Sequence, residues 1–132
     1  MTRDVISVEE DDNLIRLLET LGILRFRHLP VTDDDHLIGL LTERDLLAVS
    51  TSNLLPHHRR SDRLLHEHIR VRDIMVRNVL TASPEMPVRA AGELLLRQRF
   101  GCLPVVTAEN ALVGIVTSSD FIKLVVKATR EG

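Results

Sequence analysis

The segment Arg25-Phe26-Arg27-His28-Leu29-Pro30-Val31 returns as Arg99-Phe100-Gly101-Cys102-Leu103-Pro104-Val105, 74 positions later in a chain of 132 residues. A seven-residue pattern repeated at one offset marks a structural unit written twice. The same offset pairs Met1 with Met75, Arg3 with Arg77, Val5 with Val79, Glu19 with Glu93 and Leu21 with Leu95. Beyond Leu-Pro-Val one residue is inserted and the offset becomes 75, so that Gly39 meets Gly114, Thr42 meets Thr117 and Asp45 meets Asp120. The chain therefore divides into a first copy over 1–50, a polar linker over 51–70 and a second copy over 71–132.

Each copy carries the same order of signals. A short apolar stretch, Val5-Ile6-Ser7-Val8 or Val79-Leu80-Thr81, has strand character. An amphipathic helix follows, because Leu14, Leu17, Leu18 and Leu21 recur at helical spacing. The second copy answers with Val88, Ala91, Gly92 and Leu95, whose small members predict a close helix approach, and Ser83-Pro84 supplies a start signal. The Leu-Pro-Val strand and a second strand, Leu37–Leu41 or Ala111–Val116, form a hairpin across the polar turns Asp33-Asp34-Asp35 and Ala108-Glu109-Asn110. A closing helix is expected over 43–50 and over 118–128, with Phe121, Leu124 and Val125 on its buried face. The fold class is α+β, a β-α-β-β-α unit repeated in tandem. In the linker, Ser61–His68 has helical character, and His57, His58, His66 and His68 lack a cysteine or carboxylate set at ligand spacing, so no metal site is assigned.

Composition narrows the function. A hydrophobic fraction of 44% supplies a core, while aromatics at 2% make it aliphatic and leave no Trp or Tyr for a base to stack on. A net charge of −2 argues against a nucleic-acid partner, which requires a net basic face. The single cysteine, Cys102, excludes an internal disulfide and fits a reducing cytoplasm. No apolar run approaches the ~20 residues of a membrane span. No nucleophile has an evident base, and no catalytic carboxylate pair stands out, so the chain is read as non-enzymatic.

The sharpest matched pair is Gly39-Leu40-Leu41-Thr42-Glu43-Arg44-Asp45 and Gly114-Ile115-Val116-Thr117-Ser118-Ser119-Asp120. Thr-x-x-Asp is a capping box at a helix start. The same geometry suits a nucleotide clamp: a helix N-terminus attracts phosphate, a hydroxyl adds a donor, and an Asp one turn in accepts from the two vicinal hydroxyls of a ribose. Both readings stand together.

The doubled unit, with its Leu-Pro-Val and Gly-apolar-apolar-Thr-x-x-Asp motifs and the Val71-Arg72-Asp73-Ile74-Met75 lead-in, resembles a pair of CBS domains, or Bateman module. The resemblance implies that the repeats pack through their sheets about a pseudo-twofold axis. It implies clefts between them for an adenosyl ligand such as AMP, ADP, ATP or S-adenosylmethionine, with no cofactor required. Carried over by position, Asp45 and Asp120 hold ribose hydroxyls, and Thr42, Arg44, Thr117 and Ser119 reach ribose or phosphate. Arg27 and His28 face phosphate, and their replacement by Gly101 and Cys102 predicts two unequal clefts. A regulatory energy or metabolite sensor is expected, assembled as a homodimer and reporting to an effector protein or domain in trans. The alternative is a ligand-free dimerisation module whose Thr-x-x-Asp motifs only cap helices. The first copy begins at the equivalent of Met75, so its own lead-in is missing, which points to a late start or to a fragment of a longer chain.

Overall fold

The computed structural model describes residues 5–21, 28–42, 44–45, 68–98 and 101–131. The helix expected over 43–50 lies outside the described residues apart from Arg44 and Asp45, as does the linker helix apart from His68. Two compact bodies of mixed helix and strand make up the chain.

The first comprises Ile6–Asp34 and Ile38–Asn78. Its helix α1, Leu14–Leu21, starts at Asn13, whose Oδ1 accepts the Arg16 N–H at 3.1 Å, a side-chain cap on the helix start. Strands β1, His28–Asp33, and β2, His36–Thr42, form a hairpin. Its two turn residues, Asp34 (φ 50°) and Asp35 (φ 66°), are both left-handed, as a two-residue hairpin loop requires and as Asp tolerates. The strand expected over Val5–Val8 is a single parallel bridge between Val8 and Val31. Val8 donates to the Pro30 carbonyl and Thr32 donates to the Val8 carbonyl, each at 2.9 Å. Pro30 has no N–H to carry the ladder one rung further toward Ile6, so the strand stops there.

A strap closes this body. Residues 69–76, which contain the short helix α2, Val71–Ile74, read from sequence as the lead-in to the second copy, but they pack within the first body. Leu14 donates to the Ile69 carbonyl at 3.0 Å, Val71 donates to the Asp12 carbonyl at 3.0 Å, and Leu40 and Val76 exchange backbone bonds of 2.9 Å. Asp11 pairs with Arg72 and, at 3.6 Å, with Arg70. Met75 lies against Gly39, where a Cβ would come within 2.9 Å of its sulfur. The result is an aliphatic core of Val8, Leu14, Leu29, Val31, Leu41, Val71 and Met75.

The second body is formed chiefly by Val79–Gly132, together with Asp35–Leu37. Its helix α3, Val88–Arg97, begins after Pro87 with no side-chain cap. Ser83-Pro84 therefore does not start the helix. It opens a turn ahead of it, with Met86 donating to the Ser83 carbonyl at 3.2 Å. Strands β3, Cys102–Val106, and β4, Leu112–Thr117, pair antiparallel with a bulge at Val105/Val106. Ala82 bridges Val105 in parallel, accepting from Val106 and donating to the Pro104 carbonyl at 2.9 Å, the same two bonds that Val8 makes. Here the ladder is stopped on both sides, because neither Pro84 nor Pro104 has an N–H. The strand expected over Val79–Thr81 is thus reduced to this bridge at Ala82.

The chain then enters α4, Ser118–Glu131, directly from β4. Gly92 of α3 admits the Phe121 ring, which a Cβ would meet at 3.2 Å, so the small residues of α3 do mark a close helix approach. The expected buried face of α4 is corrected: Phe121 is half-buried, but Leu124 and Val125 are 48% and 61% exposed. Only the first turn of α4 carries half-buried residues, Asp120 and Phe121, and from Ile122 to Arg130 every position is exposed.

Candidate functional site

Both Thr-x-x-Asp motifs sit where a strand turns into a helix, and both are internally hydrogen-bonded. In the second body the Thr117 N–H donates to Asp120 Oδ2 at 2.9 Å and the Asp120 N–H donates to Thr117 Oγ1 at 3.4 Å, a reciprocal capping box. The Thr117 hydroxyl adds a bond of 3.3 Å to the same Oδ2. In the first body the Thr42 hydroxyl donates to Asp45 Oδ2 at 2.7 Å, and the Asp45 N–H donates to Thr42 Oγ1 at 3.3 Å. Among the described residues every bond to the Asp120 carboxylate falls on Oδ2, which leaves Oδ1 with its lone pairs for a further donor.

Asp120 borders a cavity of about 310 Å³, at the small end of the range for ligand sites. Ala82, Ser83 and Pro84 form one wall, Val105 and Val116 of the sheet form the floor, and Met86, Val88 and Ala91 enter from the start of α3. Phe121 and Leu124 of α4 complete the lining. The surface is mostly apolar, with Ser83 and one carboxylate as its polar side chains, which suits a flat apolar group carrying paired hydroxyls.

The two copies fill these positions differently. The 74-residue offset matches Ala82, Val88 and Ala91 to Val8, Leu14 and Leu17, and the 75-residue offset matches Val116 to Leu41. At these four positions the second copy carries the smaller residue. In the first body Leu14 and Leu41 are fully buried (0% exposed) and Leu17 packs against the same core. Val88, by contrast, is 58% exposed at the cavity rim. The hollow of the second body is therefore made by side-chain truncation on a shared backbone. Ala82 and Met86 lie outside the motifs, Val105 and Val116 lie inside them without having been read as site residues, and the drop in size at Ala82, Val88, Ala91 and Val116 is the signal that marks part of this lining.

The remaining candidates are dispersed. Thr117 touches Asp120 without lining the cavity, and Ser119 is exposed on the first turn of α4. Thr42 is buried, Asp45 half-buried and Arg44 exposed at the matching corner of the first body. His28 begins β1 and is half-buried, whereas Arg27 lies outside the described residues. Gly101, the counterpart of Arg27, has a specific backbone role: its φ is +66°, its carbonyl accepts the Ser118 N–H at 3.0 Å, and a Cβ there would come within 3.1 Å of Ser118 Oγ. Cys102, opposite Thr117 in the sheet, is fully buried. Burial first, and the charge of Asp120 second, push its thiol from 9.0 up to about 12, so it is no nucleophile near neutrality.

The family model for the CBS domain matches residues 1–52 and again residues 71–127. The chain belongs to the CBS domain family. A CBS domain-containing protein of Dictyostelium discoideum is 35% identical over 130 residues, covering 96% of this chain and 88% of that protein. Among solved structures, the Arabidopsis thaliana CBS-pair protein CBSX2 in complex with AMP matches with a TM-score of 0.77 at 27% identity, covering 98% of this chain and 94% of that one. The CBS domain pair of protein MJ0100, in complex with 5′-methylthioadenosine and S-adenosyl-L-methionine, matches with a TM-score of 0.73 at 25% identity, covering 93% and 92%. Other relatives are longer. The chain spans 44% of an uncharacterized protein of Methanocaldococcus jannaschii and 22% of that archaeon's inosine-5′-monophosphate dehydrogenase. CBS pairs are regulatory modules, and this chain matches the CBS domain twice.

Proposed function

We propose that the chain is a regulatory module that binds an adenosine-containing ligand and serves as an energy or metabolite sensor. The observation that carries this reading is the cavity of the second body, apolar apart from Ser83 and Asp120, the latter with an Oδ1 not engaged by the described residues. The apolar walls take the base, and the carboxylate accepts from the ribose hydroxyls while Thr117 holds it in place. Adenosyl ligands in two related CBS pairs support the same assignment.

In this reading Asp45 is the ribose acceptor of the first repeat, steadied by Thr42. Arg27, His28 and Arg44 meet phosphate where a ligand carries it, and Ser119 supplies a hydroxyl in the second repeat. The module itself is non-catalytic and reports to an effector in trans from the cytoplasm. Among the described residues no helix is long and apolar enough to cross a membrane. The row Ile122, Leu124, Val125 and Val126 on α4, each about half exposed or more, favours a homodimer through that helix.

Titration calorimetry with AMP, ATP, S-adenosylmethionine and 5′-methylthioadenosine tests the reading. Binding of at least one, with a rise in the unfolding midpoint, is expected by linkage. No heat and no thermal shift with any of them overturns it.

A further inference from the structure

Resting on the adenosyl reading above, we propose that the cavity of the second repeat takes an adenine nucleoside without a 5′-phosphate, in preference to a nucleotide. Three features of one corner carry this. Anion binding at a helix start depends on free N–H groups in the first turn. In α4 two of the first three are already engaged: Ser118 N–H with the Gly101 carbonyl at 3.0 Å, and Asp120 N–H with Thr117 Oγ1 at 3.4 Å. The Ser118 hydroxyl also turns to the Gly101 carbonyl, at 3.4 Å. Two of the donors that would cradle a phosphate are thus turned inward.

The second feature is charge. Among the described residues that line the cavity, Asp120 is the one charged group, with no Lys, Arg or His beside it. A phosphate dianion on the 5′ carbon of a ribose held by Asp120 would face that carboxylate without compensation.

The third is the backbone at Gly101. Its left-handed φ of +66° and the 3.1 Å approach of a Cβ to Ser118 Oγ disfavour a side chain here. The first copy has Arg27 at this position. A cation there in the second copy would have to take the left-handed backbone and displace the Ser118 hydroxyl, and the substitution that separates the two copies removes the counter-charge a nucleotide needs. A 5′-thioether or unmodified nucleoside makes no such demand.

The test is calorimetric titration of the full chain and of its Asp120→Asn variant with 5′-methylthioadenosine and with AMP. The thioether nucleoside should bind about tenfold more tightly than AMP at the second repeat, and Asp120→Asn should narrow that gap by removing the repulsion. AMP binding that Asp120→Asn leaves unaffected belongs to the first repeat and agrees with the proposal. AMP binding as tight as that of the nucleoside, and weakened alike by Asp120→Asn, overturns the proposal but leaves the adenosyl reading standing. Failure of every adenosyl compound overturns both. Should Asp120→Asn unfold the protein, Val88→Trp at the exposed rim takes its place: it should abolish binding of 5′-methylthioadenosine with the fold intact, and unaltered binding places the nucleoside elsewhere and overturns the proposal.

Discussion

The two bodies build the same corner and use it differently. Val8 on Val31 and Ala82 on Val105 make identical bridges, and each is followed by a hairpin and a Thr-x-x-Asp cap. In the first body Leu14 and Leu41 close over the bridge and the strap at 69–76 seals them in. In the second, Val88, Ala91 and Val116 stand at those matched positions or beside them, and a cavity remains. The difference teaches that a repeat can keep its leading bridge and its cap while one to three carbons per position decide whether the space behind them is filled or left open.

Restoring the larger residues is the strongest way to break this contrast. The double variant Ala82→Val, Ala91→Leu should lower affinity for 5′-methylthioadenosine by about a hundredfold or more, since the base loses its space. The change in unfolding free energy should stay within the ~1–3 kcal/mol that overpacking costs. Calorimetry and urea unfolding measure the two separately, and undiminished binding removes the cavity from the account. Next in size is Gly101→Ala, which forces an L-residue to φ +66° against Ser118 and should cost about 1–2 kcal/mol by urea denaturation. A neutral result would mean that the corner is not held left-handed and that the charge asymmetry between the copies has another cause.

Removing a cap compares the two helix starts directly. Thr117→Val and Thr42→Val should each cost about 0.5–2 kcal/mol, with Thr42 at the upper end because it is more buried and its bond to Asp45 is shorter. The smallest effect belongs to the strap. Asp11→Asn removes exposed ion pairs to Arg70 and Arg72 and should cost at most about 1 kcal/mol, vanishing in high salt. A larger loss would show that the strap is held by charge and not by Val71, Met75 and the backbone bonds.

Much of this was legible in the chain. The 74-residue offset carries the hairpins, the helix at Leu14 and the two caps, because periodicity, turn chemistry and capping are local properties. The leading strands were misread, since alternating apolar residues do not reveal that the partner strand carries a proline where the next rung needs an N–H. The strap was assigned by motif to the repeat it precedes, whereas its hydrogen bonds go to Asp12, Leu14 and Leu40, contacts that no sequence window contains. The exposed face of α4 has the periodicity of a buried one, because periodicity does not tell a core from a surface awaiting a partner. At the site, Asp120 was readable from its motif, but the cavity was not. It arises from smaller side chains at four matched positions, a difference that stands out only once the two copies are laid on one backbone.

The central claim is that the cavity of the second repeat, opened by its smaller side chains, receives an adenine nucleoside without a 5′-phosphate. Methyl NMR of the intact chain titrated with 5′-methylthioadenosine tests it most directly. The account predicts shifts at Ala82, Ala91, Val105 and Val116 with Val8, Leu14 and Leu41 unmoved, and shifts confined to the latter three would contradict it.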